Sequence, residues 1–171
     1  MIFGAQDSFA LGAELDRIVA KWTYGRLHFW VGGVSIGDYA DTCDLATSAR
    51  WGRTFLSASP RRTRSDLDDM PSTEVFDLLY GRFVEPVAQP MSKPWPGPWD
   101  REPYLLDEIG ESALRDKFAL VAVRRGDGVD RVLVKRFDDE SLSETLVPSG
   151  KCDTAIESYC CWVEGLRSFA G

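Results

Sequence analysis

The chain has 171 residues, enough for one domain with a hydrophobic core, and its 44% hydrophobic and 27% charged residues are ordinary for a globular protein. Its net charge of −7 argues against nucleic-acid binding, because a phosphate backbone needs a basic surface, and favours a basic protein partner. No apolar run approaches the roughly 18 residues of a membrane span, and the N-terminus lacks the regions of a secretory signal. We therefore expect a cytoplasmic protein without a membrane partner.

The N-terminal residues predict a short strand and then an ambiguous element. Residues 1–3 are apolar and compatible with a strand. In residues 9–18, alternation from Phe9 to Leu15 fits a strand, whereas apolar spacing from Leu11 to Trp22 also fits a helical stripe. Because the helical match is longer, periodicity alone favours a helix.

A β-hairpin is predicted next. Two runs rich in β-branched and aromatic residues flank Gly32-Gly33, and glycine is favoured where both turn positions need a positive φ. This turn predicts that one apolar face lies in the core, formed by Leu27, Phe29, Val31, Val34 and Ile36. We interpret the following Gly37-Asp38 as a structural corner whose carboxylate accepts backbone hydrogen bonds, rather than as a catalytic acid.

Two helices and a charged loop are predicted after the hairpin. Residues 41–57 fit a helix capped by Asp41 or Thr42, and residues 73–83 fit a short second helix. Residues 59–72 between them are polar and charged, as in a loop. A basic segment that we expect to be solvated comprises Arg50, Arg53, Arg61, Arg62 and Arg64.

The middle of the chain is rich in proline and tryptophan. Residues 86–103 contain six of the nine prolines, which predicts an extended connection rather than a regular element. It carries Trp95 and Trp99, which we expect to pack on the body of a single domain spanning residues 1–171, although they could also face a partner.

The C-terminal part predicts antiparallel strands and one long helix. A loop with a helical turn (104–115) precedes strands at 118–124, 130–137 and 144–147 and an amphipathic helix at 152–169. Strands and helices do not alternate as in βαβ units. The predicted class is therefore α+β with a mainly antiparallel sheet.

The search for catalytic or metal-binding groups finds no convincing set. His28, the only histidine, has no accompanying nucleophile motif, and no Cys-x-x-Cys pair is present, so we predict no catalytic, metal or cofactor-binding residues and no cofactor. We interpret the two acidic clusters, Asp66/Asp68/Asp69 and Asp138/Asp139/Glu140, as solvated loops. We expect buried thiols in a reducing compartment for Cys43, Cys152, Cys160 and Cys161.

The N-terminal third resembles the immunity protein 42 family of bacterial polymorphic toxin systems. The order and spacing of short motifs carry the resemblance, which is weaker from Leu105 to the C-terminal helix. The motifs are Met1-Ile2-Phe3-Gly4, Phe9-Ala10-Leu11, Glu14-Leu15, Tyr24-Gly25-Arg26, Phe29-Trp30-Val31-Gly32-Gly33 and Ile36-Gly37-Asp38-Tyr39.

The resemblance implies a fold and a function. Residues 9–18 would be a strand, and Gly32, Gly33, Gly37 and Asp38 would be a structural signature. The protein would be a cytoplasmic antidote, not an enzyme, that binds a cognate toxin domain encoded by an adjacent gene and covers its active site. A homodimer through an open strand edge stays an alternative assembly.

Aromatic anchors and charge complementarity predict the toxin contacts. The candidate residues are Asp66, Asp68, Asp69, Trp95, Trp99, Asp138 and Asp139. Two other functions stay open from the residues alone. One is a small metal-dependent hydrolase that uses Asp38 and an acidic loop; the other is an adaptor or chaperone without a toxin partner.

Overall fold

The computed structural model describes residues 1–80, 103–110 and 114–168, and in them the predicted α+β class is confirmed. The strands are β1 (Ile2–Ala5), β2 (Phe9–Val19), β3 (Trp22–Val31), β4 (Val34–Ile36), β5 (Thr42–Asp44), β6 (Phe118–Arg124), β7 (Asp130–Arg136) and β8 (Leu142–Val147). The helices are α1 (Leu45–Ser57), α2 (Ser72–Leu79) and α3 (Lys151–Ser168). The Pro/Trp-rich connection lies almost entirely outside the described residues. The last residues of the helices predicted at 73–83 and 152–169, Phe83 and Phe169, also lie outside them.

The first sheet is built around the long antiparallel pair β2–β3. β1 pairs with the other edge of β2, and β4 and β5 pair with the other edge of β3. Residues 9–18 are therefore a strand, as the resemblance implied, and the helical interpretation is wrong. Pairing of β2 with β1 on one side and β3 on the other decides the conformation of these residues. In this sheet Phe9 and Leu11 are fully buried, while Val19 and Trp22 stay exposed at the β2–β3 turn.

The predicted hairpin turn is confirmed. Gly32 and Gly33 have φ angles of 57° and 84°, and Phe29 pairs with Ile36 as expected. The expectation for Val34 is wrong, because its side chain is 55% exposed. It directly follows the turn, at the end of the sheet, whereas Ile36 lies two residues further in and is buried.

Helix α1 begins later than predicted, so Asp41 and Thr42 do not cap it. Residues Thr42–Asp44 instead form β5 on the edge of β3. Asp44 is the N-cap, and its carboxylate accepts hydrogen bonds from the amides of Ala46 and Thr47, both at 3.3 Å. The short strand thus determines where the helix can start.

The second sheet has the order β6-β7-β8, and its strands β6 and β7 are buried on both faces. One face, with Leu120 and Val132, joins the core shared with the first sheet, α1 and α3. The other face, with Val121 and Leu133, packs against α2 and the segment before it. β8 begins at Leu142, two residues before its predicted start.

The basic segment is not uniformly solvated, since Arg62 is 1% exposed. Its guanidinium stacks on the Phe55 ring at 3.7 Å and donates to the carboxylate of Asp153. Asp153 also accepts a hydrogen bond from Arg124 at 3.0 Å. The prediction for Arg62 is therefore wrong, because a carboxylate from α3 compensates the buried cation.

Candidate functional site

The first acidic cluster lies between α1 and α2 and is already partly engaged. The Asp66 carboxylate accepts two hydrogen bonds from Arg64, at 2.8 and 2.7 Å. Asp68 accepts from the Gly126 amide at 3.1 Å and so ties this segment to the β6–β7 turn. Asp69 is exposed. Of the three carboxylates, Asp69 is therefore the best placed to meet a partner.

The second acidic cluster lies in the β7–β8 turn. Arg136 forms ion pairs with Asp138 at 3.3 Å and Asp139 at 4.0 Å. Hydrogen bonds from Ser141, with a smaller contribution from Arg136, hold the pKa of Asp139 below its usual value. Phe137 beside them is 42% exposed. The turn therefore presents two carboxylates next to an exposed aromatic ring.

The two acidic clusters do not form one patch. Asp68 contacts the turn that precedes β7, whereas Asp138 belongs to the turn that follows it. The seven residues of β7 separate these turns, a distance of roughly 20 Å. A partner would have to span the second sheet to touch both clusters. Trp95 and Trp99 lie outside the described residues.

The Gly37-Asp38 corner has the contacts of a turn. Gly37 has a φ of 107°, and the Asp38 carboxylate accepts hydrogen bonds from the Ala40 amide at 2.9 Å and from Lys117 at 3.3 Å. The same two partners hold the pKa of Asp38 below its usual value. Asp38 is thus an ionised carboxylate that joins the end of β4 to the segment before β6.

His28 packs among aromatic rings on the face of the first sheet that points away from α1 and α3. Its imidazole lies edge-on to the Tyr39 ring, with centroids 4.6 Å apart, and 5.7 Å from the Trp30 ring. Burial lowers the pKa of His28, so the ring is neutral at pH 7. Across the described ranges, no group of three or more His, Cys, Asp or Glu side chains could hold a metal ion.

The four cysteines are free thiols, but they are not all buried. Cys43, Cys152 and Cys160 are buried, and burial raises the pKa of Cys160 to about 12. Cys161 is exposed, which corrects the expectation, because it projects from the outer side of α3 toward Arg53.

A cleft of about 650 Å³ opens where the β2–β3 turn, α1 and α3 meet. We call it the Trp22 cleft. Its walls include Lys21, Trp22, Arg50, Arg53, Val163 and Glu164. The Trp22 side chain is 44% exposed, and the Lys21 ammonium lies 5.1 Å from the centroid of its ring. The buried residues Ala49 and Val163 form an apolar part of the cleft wall.

The two carboxylates that line the Trp22 cleft are both engaged. Asp44 accepts from the Thr23 amide at 3.1 Å and the Thr47 hydroxyl at 2.7 Å, in addition to its capping bonds. Although burial opposes ionisation, these hydrogen bonds keep the pKa of Asp44 below its usual value. Glu164 forms a two-pronged pair with Arg53, at 2.8 and 2.7 Å.

Two cations of the cleft, in contrast, have no carboxylate partner in the described part of the chain. Arg50 is exposed and donates only to the Thr47 hydroxyl, at 3.0 Å. Lys21 contacts the Trp22 ring. Sequence reasoning missed this site because its walls come from three distant segments. The available signals were a tryptophan directly after a turn and two arginines three positions apart on a helix.

Comparisons with known proteins identify the family from the sequence and the fold from a solved structure. The model of the immunity protein 42 family matches residues 1–161. The crystal structure of CdiI from Burkholderia dolosa AUO158 superimposes with a TM-score of 0.71 at 12% identity, covering 95% of this chain and 99% of that chain. At that identity the likeness shows the fold. No curated protein matches the chain. The family match covers nearly the whole sequence, and the chain therefore belongs to the immunity protein 42 family.

Proposed function

We propose that this immunity protein neutralises its cognate toxin by binding the toxin domain and covering its active site or the path of its substrate. The observation that carries the proposal is the family match over residues 1–161. The family favours a role in binding rather than in catalysis. The structural likeness to a CdiI protein supports the same fold over almost the full length of both chains.

The surface of the chain suits a protein partner. Stable protein interfaces bury about 1,600 Å² in total and place aromatic and arginine side chains near their centre. The β7–β8 turn offers Phe137 beside Asp138 and Asp139, and the Trp22 cleft offers an exposed tryptophan beside arginines. With a net charge of −7, the chain would attract a toxin with a basic active-site cleft and speed the encounter.

The hydrolase alternative is less well supported. Asp38 is committed to the Ala40 amide and Lys117, and the acidic loops use Asp66 and Asp68 for contacts within the chain. A bound divalent ion in the purified protein, with hydrolysis lost in Asp38→Asn, would favour that alternative.

The proposal places the binding in the cytoplasm and the toxin gene next to the gene of this protein. Across the described part of the chain, no helix is long and apolar enough to cross a membrane. The assembly with the toxin could contain one copy of this chain or a homodimer.

A rescue assay tests the proposed function. The C-terminal domain of the protein encoded by the adjacent gene is expressed alone, with this chain, and with an unrelated immunity protein as control. We expect growth arrest alone, survival only with this chain, and co-purification of the two proteins. A neighbour that is harmless, or that kills regardless, would overturn the proposal.

A further inference from the structure

We propose that the Trp22 cleft receives a carboxylate-bearing loop of the toxin domain, whose Asp or Glu side chain pairs with Lys21 and Arg50. The inference rests on the proposed function, because it names the part of the toxin that this surface recognises. It adds a basic contact to a chain whose overall charge is acidic, and so predicts an interface with charges of both signs.

The shape of the cleft fits a loop. Its volume of about 650 Å³ lies within the range of roughly 300–1,000 Å³ in which proteins enclose compact ligands. A cleft of this volume can hold a few side chains. The cleft would therefore hold one projecting segment within a larger interface.

The composition of the cleft is that of an interface anchor. Tryptophan and arginine are the residues most enriched among side chains that dominate binding energy. Trp22 leaves 44% of its surface in water although apolar Ala49 and Val163 lie in the same cleft. Covering this ring with a partner would remove apolar area from water that folding alone leaves exposed.

Charge identifies the occupant as acidic. Both carboxylates that line the cleft are saturated by hydrogen bonds from this chain, Asp44 at the start of α1 and Glu164 on Arg53. Lys21 and Arg50 have no carboxylate partner among the described side chains. A carboxylate that enters the cleft therefore meets two available cations and displaces no existing ion pair.

Binding kinetics with the toxin domain test the inference. The double variant Lys21→Glu/Arg50→Glu reverses both available charges, and Trp22→Ala removes the ring. Arg61→Glu serves as a control, a single reversal on an exposed arginine that does not line the cleft. Association and dissociation rates are measured at low and high salt, and circular dichroism checks the fold of each variant.

We expect the double reversal to slow association about tenfold at low salt, with a smaller effect at high salt, because steering by exposed charges is screened. Trp22→Ala should speed dissociation about thirtyfold, as for a central aromatic anchor. Arg61→Glu should stay within about twofold of the unmodified protein. A toxin variant with one surface Asp or Glu changed to Lys should restore binding to the double reversal.

Other results separate the two proposals. If the unmodified protein neutralises the toxin but all three variants bind with unchanged rates, the cleft inference is overturned and the proposed function stands. If the double reversal instead abolishes a dimer of this chain and leaves toxin binding intact, the occupant is a second copy and the inference is also overturned. If the unmodified protein neither binds nor rescues, the proposed function itself has failed.

Discussion

The buried guanidinium of Arg62 donates to the carboxylate of Asp153 and thereby joins the segment after α1 to the first turn of α3. The same carboxylate accepts hydrogen bonds from Arg124 at 3.0 Å and from the Ser59 hydroxyl at 2.7 Å. Arg124 pairs in turn with Asp130, which is 2% exposed. One side chain from the C-terminal helix thus connects two buried or half-buried cations.

Replacing Asp153 with alanine should strongly destabilise the fold. The change leaves the Arg62 cation buried without its partner, a situation that costs about 3–5 kcal/mol. The matched control is Glu157→Ala, one turn further along α3, where the pair with Arg53 is exposed to solvent and contributes little to stability. Urea denaturation measures both free energies of unfolding. Equal losses for the two variants would show that the Asp153 contacts contribute no more than a surface pair.

Asp107 should make stability fall as pH rises. Burial, with a smaller contribution from the Glu108 charge, raises the pKa of Asp107 to about 7, against roughly 3.9 for an unfolded chain. The folded state therefore favours the neutral carboxyl. This stability is fully present below about pH 4 and is lost as pH rises through 7. The loss should be on the order of 2–4 kcal/mol by pH 8.

The variant Asp107→Asn isolates this titration, because the amide keeps the shape of the side chain and cannot ionise. We expect the unfolding free energy of the unmodified protein to drop relative to the variant between pH 5 and pH 8. Urea denaturation at each pH gives the two curves. Parallel curves would mean that Asp107 does not change its charge in that range.

Gly52 should reveal how closely α1 and α3 pack. A Cβ atom on Gly52 would lie 2.7 Å from the Cys160 sulfur and 3.2 Å from the Ile156 side chain. Gly52→Ala should therefore cost about 1–3 kcal/mol from overpacking, partly offset by a gain of about 1 kcal/mol in helix propensity. After Cys160→Ala removes the sulfur, the same glycine substitution should become stabilising.

A double-mutant cycle by thermal or urea unfolding measures this coupling. The control is Gly165→Ala on α3, where a Cβ would meet no atom of the described residues within 4 Å, so only the propensity gain is expected. Additive effects of Gly52→Ala and Cys160→Ala would contradict the close approach.

The sequence could predict elements whose signals are local. Gly32-Gly33 predicts its turn because only the backbone conformation of two residues is involved. Strand β3 follows from the alternation of apolar residues, and helix α3 follows from their helical spacing. The N-terminal third also carried the family resemblance. Where local signals conflicted, as in residues 9–18, strand pairing on both sides of β2 decided the outcome.

Features that depend on distant contacts escaped prediction. The burial of Arg62 depends on Asp153, which lies 91 residues away along the chain. The Trp22 cleft needs a turn, a helix and the last helix to come together, and neither Lys21 nor Val163 is unusual in its own segment. The acidic clusters were recognisable as charged loops, but only the register of β7 shows that they lie at opposite ends of a sheet.

The acidic turns provide the last prediction, which concerns the rate of toxin binding. Asp138→Lys/Asp139→Lys should slow association with the toxin domain about tenfold at low salt, because two exposed carboxylates that steer a basic partner change sign. The triple change Asp66→Lys/Asp68→Lys/Asp69→Lys should also slow it, but Asp68 supports the β6–β7 turn, so Asp69→Lys is the cleaner variant for that cluster. Stopped-flow mixing at two salt concentrations measures the rates.

Because the two clusters lie at opposite ends of β7, a toxin of ordinary size should respond more strongly to one cluster than to the other. The control is Asp7→Lys, at an exposed residue in the β1–β2 turn, which shifts the net charge by as much as Asp69→Lys does and by half as much as Asp138→Lys/Asp139→Lys. If the association rate falls at all three surfaces only in proportion to the charge that was changed, the effect is one of net charge alone, and neither acidic turn lies in the interface. A larger effect at one turn that persists at high salt would place that turn in direct contact with the toxin, since screening removes long-range steering but not a close ion pair.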